Sequence, residues 1–162
     1  MAYQYYLTVK GSKQGDFPGD KKKDKDKRIA ILGYTLAASK PVDAGSGMAT
    51  GKHTYEPLVV YKDIGNATVQ FFQAFVTGEV LAKVVVQAVR LSAKGKEEPV
   101  LTITLTNALV VEFEHEPEFN TGGAGTNTGE LEMISFNFQK IDVLHNPSQT
   151  LVEDNFGGLL TW

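Results

Sequence analysis

The sequence contains no cysteine, and this absence excludes two kinds of chemistry. A chain without cysteine forms no disulfide bond and has no thiolate to act as a nucleophile or a metal ligand. Long apolar runs are also missing, since no stretch approaches the roughly 20 apolar residues that a membrane-spanning helix needs. We therefore expect a protein that does not insert into a membrane.

No charge of one sign dominates the chain. Its 162 residues include 16 lysines and arginines against 19 aspartates and glutamates, a balance that argues against a nucleic-acid partner. The basic run at residues 21–27 is interrupted by Asp24 and Asp26 and has no aromatic residue for stacking on bases. It is predicted to be a solvated loop rather than a site for phosphates or anionic lipids. The opening residues, MAYQYYLTVKG, lack the basic segment and apolar core of a signal peptide.

Histidine and serine do not occur in catalytic or metal-binding patterns. His53, His115 and His145 lie far apart, and none has the spacing of a zinc motif. His53 is predicted to be a strand residue with a hydrogen-bonded ring rather than a metal ligand. Ser46 lacks the G-x-S-x-G spacing of a nucleophile elbow. The sequence thus predicts no metal site and no cofactor.

One acidic stretch is the remaining candidate for chemistry. A pair of carboxylates among Glu112, Glu114 and Glu116 could perform acid–base work on a sugar. On a strand, however, all three would line one face, where like charges destabilise. This arrangement favours a solvated face or a contact with a basic partner, and we do not expect an enzyme.

Seven segments alternate apolar and polar residues or are rich in β-branched residues, as strands are. They are residues 3–10, 29–37, 58–61, 81–90, 100–114, 130–142 and 150–162. No strand–helix–strand repetition occurs, so a doubly wound parallel sheet is not expected. The pattern predicts a single mainly β domain over residues 1–162. This domain is a two-sheet antiparallel β-barrel or sandwich with one short flanking α-helix.

The helix is predicted from Asn66 to Thr77, with Asn66 as its N-terminal cap and Gly78 as its stop. Large apolar residues recur on it at helical spacing and form a stripe that we expect to cover the sheet. The stripe consists of Val69, Phe71, Phe72, Phe75 and Val76. Before the helix, Pro57 predicts that the strand 58–61 lies at an edge or bends.

The segment 100–114 alternates most regularly, and its length predicts a bend near Asn107. Its predicted core-facing residues are Leu101, Ile103, Leu105, Leu109, Val111 and Phe113. The opposite faces of this strand and of the strand 130–142 are polar, as is typical of an antiparallel sheet with one wet face. Their polar residues are Thr102, Thr104, Thr106, Ser135, Asn137 and Gln139.

Residues 51–63 carry a pattern that resembles a known family. The matching residues are, in order, Gly51, Lys52, His53, Pro57, Leu58, Lys62 and Asp63. Followed by an aromatic-rich helix and a valine-rich strand, this order resembles the Hcp family, the tube proteins of the bacterial type VI secretion system. That family has an acidic residue, a small hydroxyl residue and proline at the helix start, where residues 65–68 here read GNAT. The chain is therefore expected to be a divergent member.

The resemblance implies a structural role. It implies hexameric rings that stack head to tail and carry or chaperone small effector proteins in the lumen. The implied partners are further copies of the chain and the sheath, spike and baseplate components. The implied location is the bacterial cytoplasm before assembly, followed by secretion without a signal peptide through the type VI system.

The resemblance also implies roles for particular residues. The loop 38–51 corresponds to the segment that packs against the neighbouring ring in this family. Its candidate stacking residues are Lys40, Pro41, Val42, Asp43, Ser46 and Met48. The polar strand faces at 102–106 and 135–139 suit either the lumen or an interface between subunits.

A second interpretation remains open from the residues alone. A β-sandwich could bind carbohydrate or another protein through the two small-residue loops, 38–51 and 119–129. A lectin should show exposed aromatic residues or a calcium site there, and only Phe119 lies at the margin. We therefore favour the structural role over the binding module.

Overall fold

The computed structural model describes residues 3–20, 25–116 and 131–155. These residues form eleven strands and one helix. They are β1 (Gln4–Gly11), β2 (Gly15–Asp16), β3 (Ile29–Ile31), β4 (Gly33–Thr35), β5 (Ala38–Ser39), β6 (Thr54–Tyr55), β7 (Leu58–Asp63), α1 (Thr68–Thr77), β8 (Leu81–Leu91), β9 (Glu97–Glu116), β10 (Leu131–His145) and β11 (Thr150–Asn155). Within this described part, no helix is long and apolar enough to cross a membrane.

Nine strands form one antiparallel sheet in the order β2-β1-β8-β9-β10-β7-β4, with β11 added to β10 and β3 to β1. Strands β3 and β4 are separated only by Leu32, yet they pair with the distant strands β1 and β7. The sheet therefore curls into a barrel-like body, and the predicted mainly β antiparallel fold with one short helix is confirmed. Strands β5 and β6 form a separate two-stranded sheet.

The core lies inside this curl and is built from alternate residues of the long strands. Val84, Leu105 and Ile141 pair across β8, β9 and β10, and all three are buried. Phe17, after β2, adds an aromatic contact, with its ring centroid 5.0 Å from that of Phe71. Each fully buried side chain of this size contributes about 1.5–3 kcal/mol. Burial of these residues is therefore a main source of stability.

The predicted orientation of α1 is right for Phe71 and wrong for the other four residues of the stripe. Ala67, Phe71 and Ala74 face the core and are buried, while the other large apolar side chains of the helix point away. These exposed residues are Val69, Phe72, Phe75 and Val76, between 40% and 73% exposed. Both sides of the helix carry phenylalanine, so spacing alone does not reveal which side packs. The small alanines favour the observed side, because they let the helix approach the sheet closely.

The predicted N-terminal cap is also wrong. The helix begins at Thr68 rather than at Asn66, and Ala67 at the cap position makes no side-chain hydrogen bond. The Nδ2 of Asn66 instead donates to the backbone oxygen of Gly19 at 3.1 Å, so it joins two loops. The predicted stop is confirmed, since Gly78 has a φ of 67° in the left-handed region that glycine adopts freely.

Strand β9 bends where the sequence predicts, at Asn107, whose φ is 51°. The bend shifts which residues face the core, so the predicted core positions Leu109 and Val111 are wrong. Ala108 and Val110 are buried instead. Asparagine is one of the few residue types that adopt positive φ, but regular alternation gives no sign that this one does.

Two strand predictions also differ from the structure. The predicted strand 29–37 breaks at Leu32, whose N–H donates to the Tyr61 oxygen at 2.7 Å, and its halves pair with different strands. The edge position predicted from Pro57 is wrong, since β7 pairs with both β10 and β4. Pro57 lies before the first paired residue, Leu58, so its missing N–H removes no ladder hydrogen bond.

Candidate assembly surfaces

Residues 38–55 form a β-hairpin, which we call the arm. Strands β5 and β6 pair at its base, and Val42 pairs with Ala49 nearer its tip. Asp43 closes the turn, because its Oδ2 accepts from the Oγ and the N–H of Ser46 at 2.8 and 3.0 Å. These hydrogen bonds lower the pKa of Asp43. Backbone pairing therefore organises the predicted loop 38–51 into a hairpin that the sequence pattern does not reveal.

The arm presents its predicted stacking residues to the surroundings. All six are exposed: Lys40, Pro41, Val42, Asp43, Ser46 and Met48. The Asp43 N–H donates to the Met48 oxygen at 2.8 Å, which holds the two sides of the arm together near its turn. The arm therefore combines an ordered backbone with exposed apolar side chains at Val42 and Met48. Its role in stacking stays a prediction.

A carboxylate on β11 anchors the base of the arm. Asp154 Oδ2 accepts from His53 Nε2 and from Tyr55 Oη, the latter at 2.9 Å. The hydrogen bond from His53, followed by that from Tyr55, lowers the pKa of Asp154. Tyr55 also packs its ring edgewise on Phe138, with 5.4 Å between centroids. The predicted hydrogen-bonded ring of His53 is confirmed, although His53 precedes β6 rather than lying in it.

The exposed side of α1 forms an apolar surface that we call the helix patch, consisting of Val69, Phe72, Phe75 and Val76. The Phe72 ring stacks on Phe75 and tilts against Phe113 of β9, with centroid distances of 6.4 and 5.3 Å. A groove beside it is lined by Thr68, Val69, Phe72, Phe113 and His115. Contiguous exposed apolar surface of this kind marks an interaction site in soluble proteins.

A buried ion pair lies close to α1. Lys62 Nζ donates to Glu132 Oε2 and to the Asp63 backbone oxygen, both at 2.7 Å, and both side chains of the pair are at most 1% exposed. His115 Nδ1 donates to the other oxygen of Glu132 at 3.2 Å. These hydrogen bonds satisfy charges that would otherwise be costly to bury. Sequence reasoning missed this pair, although Glu132 occupies a core-facing position of an alternating strand.

A grid of side chains points away from the core, and we call this surface the open face. It is formed by β1, β8, β9, β10 and β11. Thr102, Thr104 and Thr106 lie along its central strand, half-buried and pointing away from the core. Their partners on β8 and then on β10 are Gln87, Val85, Lys83, Leu144, Asp142 and Lys140. The grid is therefore mostly polar across several strands.

The second predicted polar group lies beyond the bend of the hairpin formed by β9 and β10. Ser135 is buried, whereas Asn137 and Gln139 are half-buried. Asn107 Nδ2 donates to Gln139 Oε1 at 2.8 Å, and Ser135 pairs with Glu112. The two polar groups thus lie in different halves of the hairpin rather than opposite each other.

The three glutamates of β9 share one face. Glu112, Glu114 and Glu116 alternate along the strand and pair with Ser135, Met133 and Leu131. A hydrogen bond to Glu116 raises the pKa of the Glu114 carboxyl, and desolvation and the neighbouring charges raise it further. Like charges are therefore crowded here, as expected from the sequence.

The three histidines have separate partners. His53 contacts Asp154, His115 contacts Glu132, and His145 lies 2.7 Å from Ser148 Oγ. Across residues 3–20, 25–116 and 131–155, no group of three or more histidines, aspartates and glutamates could hold a metal ion.

Some predictions fall outside the described residues. They concern residues 21–24 of the basic run, the loop 119–129 of the binding-module interpretation and residues 156–162 of the last predicted strand. Residues 25–27 of the basic run are described and exposed.

Comparison with known proteins gives consistent matches. The family model described as "Type VI secretion system effector, Hcp" matches residues 6–145. The "Major exported protein" of Pseudomonas aeruginosa is 27% identical over 166 residues, and the match covers 96% of each chain.

Solved structures share the fold. A crystal structure of an Hcp protein has a TM-score of 0.85 at 21% identity and covers 96% of this chain and 98% of that chain. Hcp1 from E. coli EAEC 042 has a TM-score of 0.80 at 20% identity, with 96% and 99% covered. The secreted protein Hcp3 from Pseudomonas aeruginosa has a TM-score of 0.72 at 23% identity, also with 96% and 99% covered. At these identities the likeness establishes the fold.

Proposed function

The chain belongs to the Hcp family of the type VI secretion system, and we propose that it is a structural subunit of the inner tube. Copies form hexameric rings, and the rings stack head to tail. In this role the sheath, spike and baseplate components are its partners. The subunit is held in the bacterial cytoplasm until assembly and then secreted through the apparatus.

The helix patch is the observation that carries this proposal. The Phe72 and Val69 side chains of a folded, hydrogen-bonded helix are 50% and 73% exposed, although large apolar side chains are normally covered. A neighbouring copy that covers the patch would recover about 25 cal/mol for each Å² of apolar surface removed from water. The patch therefore supports association between copies.

The arm supports the stacking of rings. The tip of the arm is a hairpin with Val42 and Met48 exposed, and it is a separate surface from the helix patch and the open face. A contact between two unlike surfaces is heterologous, and repeated heterologous contacts generate rings or filaments. We assign ring-to-ring contact to the arm, through the residues between Lys40 and Met48.

The open face supports a role in carrying cargo. Its central residues Thr102, Thr104 and Thr106 are polar, so this face can line a water-filled lumen without a covering element. We assign the lumen wall to this face and small effector proteins to the lumen. The proposed role is structural and requires no catalytic group.

Solution mass tests the proposal. The purified protein is measured by light scattering after size exclusion, and the same sample is imaged in negative stain. We expect a mass of about six copies and rings with an open centre. A monomer at every concentration, with no particles larger than one domain, would contradict the ring assignment.

A further inference from the structure

The open face places three lysines in one row across the sheet. Lys10 pairs with Lys83, Lys83 with Thr106, and Thr106 with Lys140. Directly paired residues on neighbouring strands point to the same side, so all three lysines lie on the open face. We propose that this lysine row binds an acidic surface of a cargo protein, an inference that rests on the tube function proposed above.

The row retains uncompensated positive charge. Lys10 and Lys83 are like charges placed directly opposite each other, an arrangement that destabilises a sheet. Both are exposed, and neither has an ion-pair or hydrogen-bond partner for its side chain among the described residues. Lys140 has an acidic neighbour, with its Nζ 3.6 Å from Asp142 Oδ1. Lys10 also pairs with Asp16 of β2, but the Asp16 carboxylate lies 3.5 Å from Lys27 Nζ instead. An anionic group above Lys10 and Lys83 would therefore relieve their mutual repulsion.

The adjacent row of the grid favours a protein over a nucleic acid. It contains Thr8, Val85, Thr104, Asp142 and Glu153, paired in that order. Its two carboxylates would repel a phosphate backbone crossing the face, whereas a folded protein can place single acidic side chains over the lysines alone. Nucleic-acid bases would also need an uncovered aromatic ring on which to stack. The ring of Tyr6, which lies two residues before Thr8 on β1, is covered by the Arg28 guanidinium at 4.3 Å from its centroid.

A ring would repeat the lysine row in every subunit. Contacts between exposed charges are individually weak and are screened by salt. Several equivalent rows facing one lumen would act on the same cargo, and their contributions would combine through a high effective concentration. The row therefore predicts selectivity for acidic cargo that falls steeply as salt is added.

The test measures binding by fluorescence anisotropy. The probe is a labelled peptide of alternating glutamate and serine, compared with its glutamine–serine counterpart and with an oligothymidine. The variant K10Q/K83Q removes the unpaired lysines. The matched control K94Q/K96Q removes two exposed lysines from the turn between β8 and β9. Each protein is measured at about 50 mM and 300 mM salt, which shortens the screening length by about 2.4-fold. Its mass is determined in parallel.

We expect K10Q/K83Q to weaken binding of the glutamate peptide about tenfold at low salt, and K94Q/K96Q to change it less than about twofold. Equal losses in both variants, or tighter binding of oligothymidine than of the glutamate peptide, would overturn the lysine-row assignment. Loss of the ring mass in K10Q/K83Q would also overturn it, because the lysines would then serve assembly.

The outcomes separate this inference from the proposed function. Intact wild-type rings that do not bind the glutamate peptide would refute the proposed binding role of the lysine row without contradicting the tube role. A monomeric wild type whose peptide binding depends on Lys10 and Lys83 would support the row's chemistry and refute the ring.

Discussion

At the scale of single residues, the buried charges Lys62 and Glu132 depend on each other. Replacing Lys62 by methionine leaves Glu132 in the protein interior with only His115 as a partner. We expect Lys62→Met to lower the free energy of unfolding by about 3–5 kcal/mol, because an unpaired buried charge is strongly destabilising. Urea unfolding followed by circular dichroism measures this loss.

The double variant K62M/E132L is the control for this prediction. It removes both charges and replaces them with apolar groups of similar size, which is often neutral in a protein interior. We expect it to recover most of the stability lost in Lys62→Met. A double variant as unstable as the single one would show that the ion pair itself is needed.

The Asp154 carboxylate predicts a pH dependence of the arm. Hydrogen bonds from His53 and then Tyr55 lower its pKa in the folded protein, whereas the unfolded value is about 3.9. Its stabilising effect is therefore present above the unfolded pKa and is lost as the pH falls through the folded pKa. We expect the base of the arm to loosen below about pH 4.

Pepsin cleavage of the arm measures this loosening. Asp154→Asn lacks the titrating carboxylate, so it should be cleaved faster than the wild type at about pH 5 and at the same rate at the lowest pH. The ratio of the two rates at each pH cancels the pH dependence of the protease itself. A constant ratio would contradict the assignment to Asp154.

Long-range pairing limits what single residues reveal in a sequence. Lys62 and Glu132 lie 70 positions apart, and only the pairing of β7 with β10 brings them together. A charged residue among Ile134 and Phe136 on the core side indicates that a partner is needed. It does not identify the partner, because identification requires the strand order.

At the scale of elements, the two sides of α1 should respond differently to substitution. Phe71 is fully buried, so Phe71→Ala should lower the free energy of unfolding by about 3–5 kcal/mol. Phe72 is half exposed, so Phe72→Ser should lower it by only about 1 kcal/mol or less. Phe72→Ser should instead reduce the solution mass, because it weakens the helix patch.

Thermal unfolding and light scattering together separate the two effects. Phe71→Ala should lose stability, and Phe72→Ser should lose assembly while remaining folded. A Phe72→Ser protein that unfolds would indicate that this side of α1 packs within the chain. A folded variant with unchanged mass would remove the helix patch from the interface.

Alternation predicts strands well until the backbone departs from a regular pleat. It placed Ile103 and Leu105 correctly in the core and failed at Leu109, since Asn107 adopts positive φ and shifts the pattern. Helical periodicity likewise predicted α1 but not its orientation. In both cases the local pattern identifies the element, and the contacts of the whole sheet determine which of its residues face the core.

At the scale of the whole molecule, the resemblance carried by residues 51–63 is confirmed by a family match over residues 6–145. The sequence could not indicate the arm's hairpin, because that hairpin depends on backbone pairing between residues such as Val42 and Ala49. The candidate surfaces likewise depend on long-range strand pairing. The open face exists only because strand pairing aligns the outward-facing residues of five strands in rows.

The proposed stacking role of the arm leads to a prediction about how tube growth could be stopped. Replacing residues 42–49 with Asn-Gly removes the tip but keeps the base, where the Thr50 N–H donates to the Pro41 oxygen at 2.9 Å. Such rings should form normally, because the helix patch is unchanged. They can receive an arm from one neighbour but offer none to the next, so each should end a growing tube.

Mixing preformed variant rings with wild-type rings tests this directionality. Mean tube length in negative stain should fall as the variant fraction rises, and the variant alone should form rings without tubes. Variant rings that stack by themselves would show that the arm is not needed for stacking. Tubes of unchanged length in the mixture would show that armless rings do not join a tube, so the surface receiving the arm would have to lie on the arm itself.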